Sequence, residues 1–353
     1  MLGIARALRW SKSITATKLD FLTRRTHTLL PPTRITALGL LAVSLLAISA
    51  HAYDWRVDDA DRVVAIADIH GAYDAMAATL QNVGVLDEEL TWIGGTTRLV
   101  IAGDILDRGP RSRDAMDLLM RLEGEAQAAG GYVHVLIGNH ESMNMTGDLR
   151  YVSKGEYAAF APDETAEQRD RWFHAWLRRQ PMPRDAQELR KRFDAKYPPG
   201  FFALRAAFGP DGQYGGWLLG KPAIAVINGT AFVHGGLPPV VAELGLDGIN
   251  TALQTELGAY VGAIYTLMEA EILLPTDDQY DYLPIVERYA PKLDESREVL
   301  AAINAILRVD DDSLVATGGP LWYRSNVGCS GIIELHRLED ALEAIGAERV
   351  VVG

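Results

Sequence analysis

The sequence predicts an α/β protein with helical insertions, and three observations carry that prediction. Short runs rich in Val, Ile and Leu alternate with segments of helical period, the pattern of a sheet covered by helices. Several of these runs stop on a small residue and pass directly into a polar one, as in Ala67-Asp68, Gly103-Asp104 and Gly138-Asn139. The chain of 353 residues is 48% hydrophobic, enough for a large core at the upper edge of one domain, while its single cysteine, Cys329, allows no internal disulfide.

The first run, RVVAIADIHG at 62–71, leads into an amphipathic stretch from Tyr73 to Val83. The second, TRLVIAGDILDRGP at 97–110, precedes a helix expected over Ser112 to Ala129, and the third is YVHVLIGNHE at 132–141. Residues 150–210 are charged and aromatic with proline breaks, and read as a helical insertion beside the sheet. Strands resume over 217–236, where Asn228-Gly229 marks a hairpin turn. A second helical insertion covers about 238–307, with a polar loop, LLPTDDQYDYLP, inside it. GGPLWYR at 318–324 follows, then a short strand near Ile332, a helix from Glu339 to Ile345, and a closing strand, RVVVG.

The leader reads differently. Residues 1–34 carry seven Lys and Arg against one acid, residues 35–49 carry no charge, and Ala50-His51-Ala52 supplies an A-x-A site. This is the form of a secretory signal cleaved after Ala52, and its apolar run is shorter than the roughly 20 residues of a spanning helix. The expectation is an exported protein, periplasmic or secreted, with one domain over 53–353 and no stable membrane insertion. Seven of the 34 basic residues and one of the 47 acids lie before Tyr53, so the remainder carries 27 against 46 and a net charge of −19. Such a surface repels nucleic acid and anionic membrane, and admits an anionic substrate only at a local positive site.

In a parallel sheet the carboxyl ends of the strands share one edge, so Asp68, His70, Asp104, Asn139, His140 and His234 are expected to converge there. Carboxylates, imidazoles and an amide oxygen without thiolates suit Mn, Fe or Zn and argue against a structural zinc site. Two divalent ions facing Asp68 and Asp104 would leave a surplus of positive charge matched to a phosphate dianion, and would lower the pKa of a shared water. The context of Cys329, CSGIIELH, lacks the arginine six positions on that a thiol-dependent tyrosine phosphatase requires.

ADIHG, GDILDRGP, GNHE and HGG, in this order over 67–236, resemble the motifs of the calcineurin-like metallophosphoesterases. More narrowly they resemble the phosphoprotein phosphatase family, and GNHESMNMTGDLRY is similar to its bacterial Shewanella-like branch. The resemblance implies two packed mixed β-sheets flanked by helices, with two divalent ions, manganese first and iron or zinc as alternatives. It gives Asp68 and His70 to one metal, Asp104 to both, and Asn139 and His234 to the other. It makes His140 the general acid oriented by Asp107, and has Arg108 and Arg324 hold the phosphate. The implied reaction is hydrolysis of phosphomonoesters, in phosphoproteins or small molecules, by in-line attack of a metal-bound hydroxide. Ala67 departs from the glycine usual before the first aspartate, a change of one methyl that is expected to be tolerated.

Other residues have plainer expected roles. His134 reads as a packed strand residue, His174 as a helix-face residue, His336 as a turn residue, and Trp172 with Trp176 as core. Arg150 and Tyr151 follow the GNHE loop closely enough to reach substrate, but nothing in the sequence assigns them to it. The alternatives are a hydrolase of dinucleoside polyphosphates and a metal-impaired pseudophosphatase or fragment. The last bears on the chain's end: in the family it resembles, the strand like RVVVG reads into Gly-His-Thr, whose histidine completes the second metal. A histidine is therefore expected at the position after Gly353.

Overall fold

The computed structural model describes residues 55–182, 185–289, 296–309 and 313–353. The signal expected over 1–52 lies outside them. Tyr53 to Gly353 form one compact unit. Among the described residues no helix is long and apolar enough to cross a membrane.

Among the described residues seven strands form two sheets. β2 (Val63–Ile66), β3 (Arg98–Ile101) and β4 (Tyr132–Val135) make one, in the order β2-β3-β4 and parallel throughout. β1 (Arg56–Val57), β5 (Ile224–Ile227), β6 (Thr230–Val233) and β7 (Arg349–Val352) make the other, in the order β1-β5-β6-β7. Here β5 and β6 are antiparallel, and β1 and β7 run parallel to their neighbours. The β5–β6 hairpin forms where the sequence puts Asn-Gly: φ is 48° at Asn228 and 69° at Gly229, the left-handed pair that a tight turn matched to strand twist demands.

Strand alternation divides the apolar residues between two layers. Leu99 and Ile101 of β3 join Leu119 and Leu122 of the helix Ser112–Ala128 in the main core. Val100, between them, turns the other way and packs with Val57, Ala225, Ile227 and Phe232 of the second sheet. The two sheets thus stack face to face, with helices outside them.

The helical insertions share a second core, a pairing that their sequence composition does not announce. Trp172, Phe173, Phe193 and Phe202 from the first pack with Ile264, Leu267, Tyr282 and Ile303 from the second. The helix Val240–Glu269, kinked at Gly245, serves both: Ile249, Leu253 and Leu257 lie in the main core, Ile264 and Leu267 in the second. Trp172 is buried and Trp176 packs beside it, while His174 is exposed.

Two stretches differ from the sequence expectation: Trp217 to Leu219, expected to open the strands of 217–236, instead end a helix, Gln213–Leu219, and the strand begins at Ile224. Ile332 does not lie in a strand but in the first turn of a helix, Gly331–Ala344, and is 96% exposed. Ser330 caps that helix by accepting the Ile332 N–H, and Ala341 and Ile345 anchor its far end in the main core. The spacing of the distant apolar residues decides the element, against the local β-branched pair at 332 and 333. His336 is accordingly an exposed helical residue and not a turn residue.

His134, on β4, is 1% exposed, and burial first and then Arg98 push its pKa down to about 3. The unfolded chain takes up a proton near pH 6.5 that the folded one refuses, so this group's stabilisation is full above pH 6.5 and is lost as pH falls toward 3. The loss is about 1.4 kcal/mol per pH unit in that window. His134→Leu is therefore expected to flatten the acid side of the stability curve, measured by urea unfolding between pH 6.5 and 4. Parallel curves for the two proteins would contradict this.

Candidate active site

The carboxyl ends of β2, β3 and β4 meet the end of β6, and the loops leaving them form the site. Asp68 and His70 follow β2, Asp104, Asp107 and Arg108 follow β3, Asn139 and His140 open the helix Asn139–Thr146 after β4, and His234 follows β6. His70, Asp104, Asp107 and Arg108 all hold positive φ, between 47° and 71°. Each such residue costs about 1–3 kcal/mol and persists only where its surroundings over-determine it. At Asp104, Glu141 supplies that constraint: its fully buried carboxylate accepts the N–H groups of Gly138, Asp104, Ile105 and Leu106 at 2.7, 2.9, 2.8 and 3.3 Å. The glycines give the clearance. A Cβ at Gly138 would stand 2.3 Å from Asp104 Oδ1, and one at Gly103 would stand 2.8 Å from Gly138 Cα.

Asp104, 2% exposed, is the centre of the cluster. Its Oδ2 lies 3.6 Å from His70 Nε2 and 3.7 Å from His140 Nε2, and its Oδ1 lies 3.3 Å from His234 Nε2. Asp68 bridges the same rings, with Oδ2 at 3.4 Å from His70 Nε2 and Oδ1 at 3.8 Å from His234 Nδ1. Two ligand-competent groups result, His70 with Asp104 and His140, and Asp68 with Asp104 and His234.

Whether these residues suit metal ions can be judged from the ring tautomers. His70 Nδ1 donates to the Leu106 carbonyl at 2.8 Å, which leaves Nε2 a lone pair; that atom is buried, has no hydrogen-bond partner, and faces two carboxylates. His234 Nδ1 donates to the Ala102 carbonyl at 3.1 Å, so its Nε2 lone pair faces Asn139 Oδ1 at 2.8 Å. Acceptors converging on acceptors at this range repel unless cations stand among them, and the donor set fits divalent ions. The charges agree. Burial first, and then Glu141, push the Asp104 pKa up to about 8, a carboxylate in want of positive charge.

The histidines are sorted by environment. Burial lowers the pKa of both His70 and His234, the latter to about 4 with Arg324 contributing, which favours the neutral ring in each. In His140 burial acts in the same sense but is outweighed by the hydrogen bond from Nδ1 to Asp107 Oδ2 at 2.6 Å and by the charge of Asp104, and its pKa rises. Asn144 holds Asp107 from behind, donating to Oδ1 at 3.0 Å. Two exposed guanidiniums flank the cluster: Arg108 Nη2 lies 3.4 Å from His140 Nε2, and Arg324 Nη2 lies 3.1 Å from His234 Nε2. β7 brings Gly353 against the same histidine, where its N–H donates to the Val233 carbonyl.

All nine residues expected from the sequence thus stand in one cluster. Sequence reasoning assigned nothing to Glu141, Asn144 or Tyr151. The E of GNHE was in plain view, but its role is to bond backbone 35 to 37 residues away. Tyr151 lies with its ring centroid 5.1 Å from that of His140.

Comparison with known proteins agrees with this architecture. The chain is 33% identical to Shewanella-like protein phosphatase 2 of Arabidopsis thaliana over 215 residues, covering 60% of this chain and 55% of that protein. It is 29% identical to Shewanella-like protein phosphatase 1 of Plasmodium berghei over 197 residues, covering 55% and 45%. The chain therefore spans about half the length of the curated relatives it matches. Among solved structures, a cold-active protein-tyrosine phosphatase from a psychrophilic Shewanella superposes with a TM-score of 0.50 at 25% identity, over 84% of this chain and 66% of that one. The family model of the calcineurin-like phosphoesterases matches residues 61–308, the stretch that holds every cluster residue except Arg324, and to that family the chain belongs.

Proposed function

We propose that the protein is a metal-dependent phosphatase that hydrolyses phosphomonoesters, with phosphorylated protein side chains as substrates. The observation that carries this reading is the sorting of three histidines around one aspartate: two rings with lowered pKa aim lone pairs inward, and a third has its pKa raised by the hydrogen bond to Asp107. The names of the relatives, protein phosphatases from a plant and a parasite and a protein-tyrosine phosphatase from Shewanella, support phosphoserine, phosphothreonine or phosphotyrosine as the substrate group.

Asp68, His70, Asp104, Asn139 and His234 would hold two divalent ions, which would supply positive charge toward the phosphate and acidity to the attacking water. Hard and borderline donors without thiolate suit manganese, iron or zinc, with manganese the first to try. Arg108 and Arg324 bind the phosphate oxygens from either side, each through a planar fork that matches them. As the water oxygen gives up one proton to solvent and bonds to phosphorus, the ester P–O bond breaks and the His140 Nε2 proton passes to the leaving oxygen; solvent then returns a proton to His140. Asp107 stabilises the imidazolium until its proton leaves. The products are the free alcohol or phenol and inorganic phosphate.

His140→Gln tests the assignment of the acid. On a phosphoseryl peptide, whose alkoxide needs a proton to leave, kcat is expected to fall at least about a hundredfold. On p-nitrophenyl phosphate, whose leaving group departs as the anion, the fall should be several-fold smaller. Equal losses would refute the assignment, and faster turnover of a dinucleoside tetraphosphate than of any phosphopeptide would refute the substrate class.

A further inference from the structure

From Val327 to Arg337 every residue is exposed except one, and that one is a glutamate. Ile332 is 96% exposed, Ile333 61% and Leu335 56%, while Glu334 among them is 4% exposed. This inverts the usual order, in which apolar side chains go in and charges stay out. A buried carboxylate is costly unless it bonds to something, so its partners say why it is there.

Both of its hydrogen bonds fall on one oxygen. Glu334 Oε1 accepts the Tyr323 hydroxyl at 2.5 Å and the Asn326 side-chain N–H at 3.0 Å, whereas Oε2 has no hydrogen bond and only Arg337 Nη1 near it, at 3.8 Å. Tyr323 and Asn326 stand on either side of Arg324, whose Nη2 lies 3.1 Å from His234 Nε2. Asn326 also ties this turn to the loop after His234, because its Oδ1 accepts the Leu237 N–H at 2.6 Å. Just before the turn, the Pro320 carbonyl accepts the N–H groups of Gly235 and Gly236 at 3.1 and 3.2 Å. The two glycines allow this approach: a Cβ at Gly235 would stand 2.6 Å from Arg324 Nη1, and one at Gly236 would stand 2.7 Å from Asn326 Oδ1. The guanidinium is otherwise held loosely, by the carbonyls of Leu321 and Tyr323 at 3.4 Å each. A hydrogen bond of that length is weak, so the turn beneath Arg324 sets its aim.

We infer that Glu334 is a positioning residue: by holding Tyr323 and Asn326 it keeps Arg324 beside His234, and so sets the affinity of the site for the phosphate group. This deepens the phosphatase reading and rests on Arg324 binding phosphate oxygens. The acceptor matters here and the charge does not, because a single oxygen makes both bonds.

The test measures turnover of p-nitrophenyl phosphate by the manganese-loaded protein, and its competitive inhibition by inorganic phosphate. Glu334→Ala is expected to raise KM and the phosphate inhibition constant roughly five-fold or more, with a smaller change in kcat, since binding lost equally from ground and transition states appears in KM. Glu334→Gln keeps an acceptor oxygen and should hold both constants within about two-fold of wild type. In an Arg324→Ala background, Glu334→Ala should add less than about two-fold, because its effect runs through the arginine already removed. Tyr323→Phe deletes one of the two bonds and decides the matter if Glu334→Ala does not fold: a rise of roughly two-fold supports the inference, and no rise overturns it. An unchanged phosphate constant in Glu334→Ala, a full rise in the Arg324→Ala background, or a Gln variant as weak as Ala would overturn this inference and leave the phosphatase reading standing. Absence of turnover by the wild type would overturn both.

Discussion

Asp104→Asn is expected to abolish turnover of phosphomonoesters, by more than about a thousand-fold in kcat, while making the metal-free protein more stable. The first effect follows from the position of the two carboxylate oxygens. Oδ2 faces His70 and His140, and Oδ1 faces His234. An amide keeps the size but offers one acceptor and one donor, so one of the two sides presents N–H to a site that needs a lone pair. The second effect follows from charge. Without bound cations, Asp104 sits buried beside the Glu141 carboxylate, and its pKa is pushed up to about 8, chiefly by that burial. Removing the charge removes the repulsion. Melting curves with and without manganese check both parts: the wild type should gain stability on metal addition, and the variant should start higher and gain little. A variant that binds two ions tightly, or keeps its activity, would refute the bridging role of Asp104.

Glu141→Ala is expected to destabilise the fold by about 3–5 kcal/mol, which is a large share of a domain's total stability. Four backbone N–H groups in the β3 and β4 loops lose their shared acceptor in a place that water does not reach. Two of those donors, at Asp104 and Gly138, lie on the turns that aim Asp104 and Asn139 inward. The variant should therefore lose metal affinity together with stability. Glu141→Gln keeps one acceptor oxygen and is expected to fall between wild type and Ala. Urea unfolding checks the order, and an Ala variant within about 1 kcal/mol of wild type would sink the argument.

The site was largely legible before any coordinates, for a local reason. Each candidate residue lies within a few positions of a strand end, and parallel strands must bring their carboxyl ends to one edge. Ala67-Asp68, Gly103-Asp104 and Gly138-Asn139 therefore declared both a backbone need and a chemistry. The Asn228-Gly229 turn was legible in the same way, since few other dipeptides accept two left-handed residues. Ile332 was misread because two adjacent β-branched residues look like a strand, whereas the apolar spacing that makes them helical, through Leu338, Ala341, Leu342 and Ile345, runs beyond a short window.

By itself the sequence determined the α/β class, most of the order of the elements, and which polar residues gather at one edge. These rest on periodicity and on motifs only a few residues long. Tertiary structure alone decided which histidines have their pKa lowered and which has it raised, because that depends on burial and on partners such as Leu106, Ala102 and Asp107 that come from other loops. It likewise decided that Glu141 braces two loops, that the two insertions share one core, and that Tyr151 packs on His140. Each is a contact between segments whose separation the chain does not encode locally, formed only once the sheets set their register and the loops close over one another.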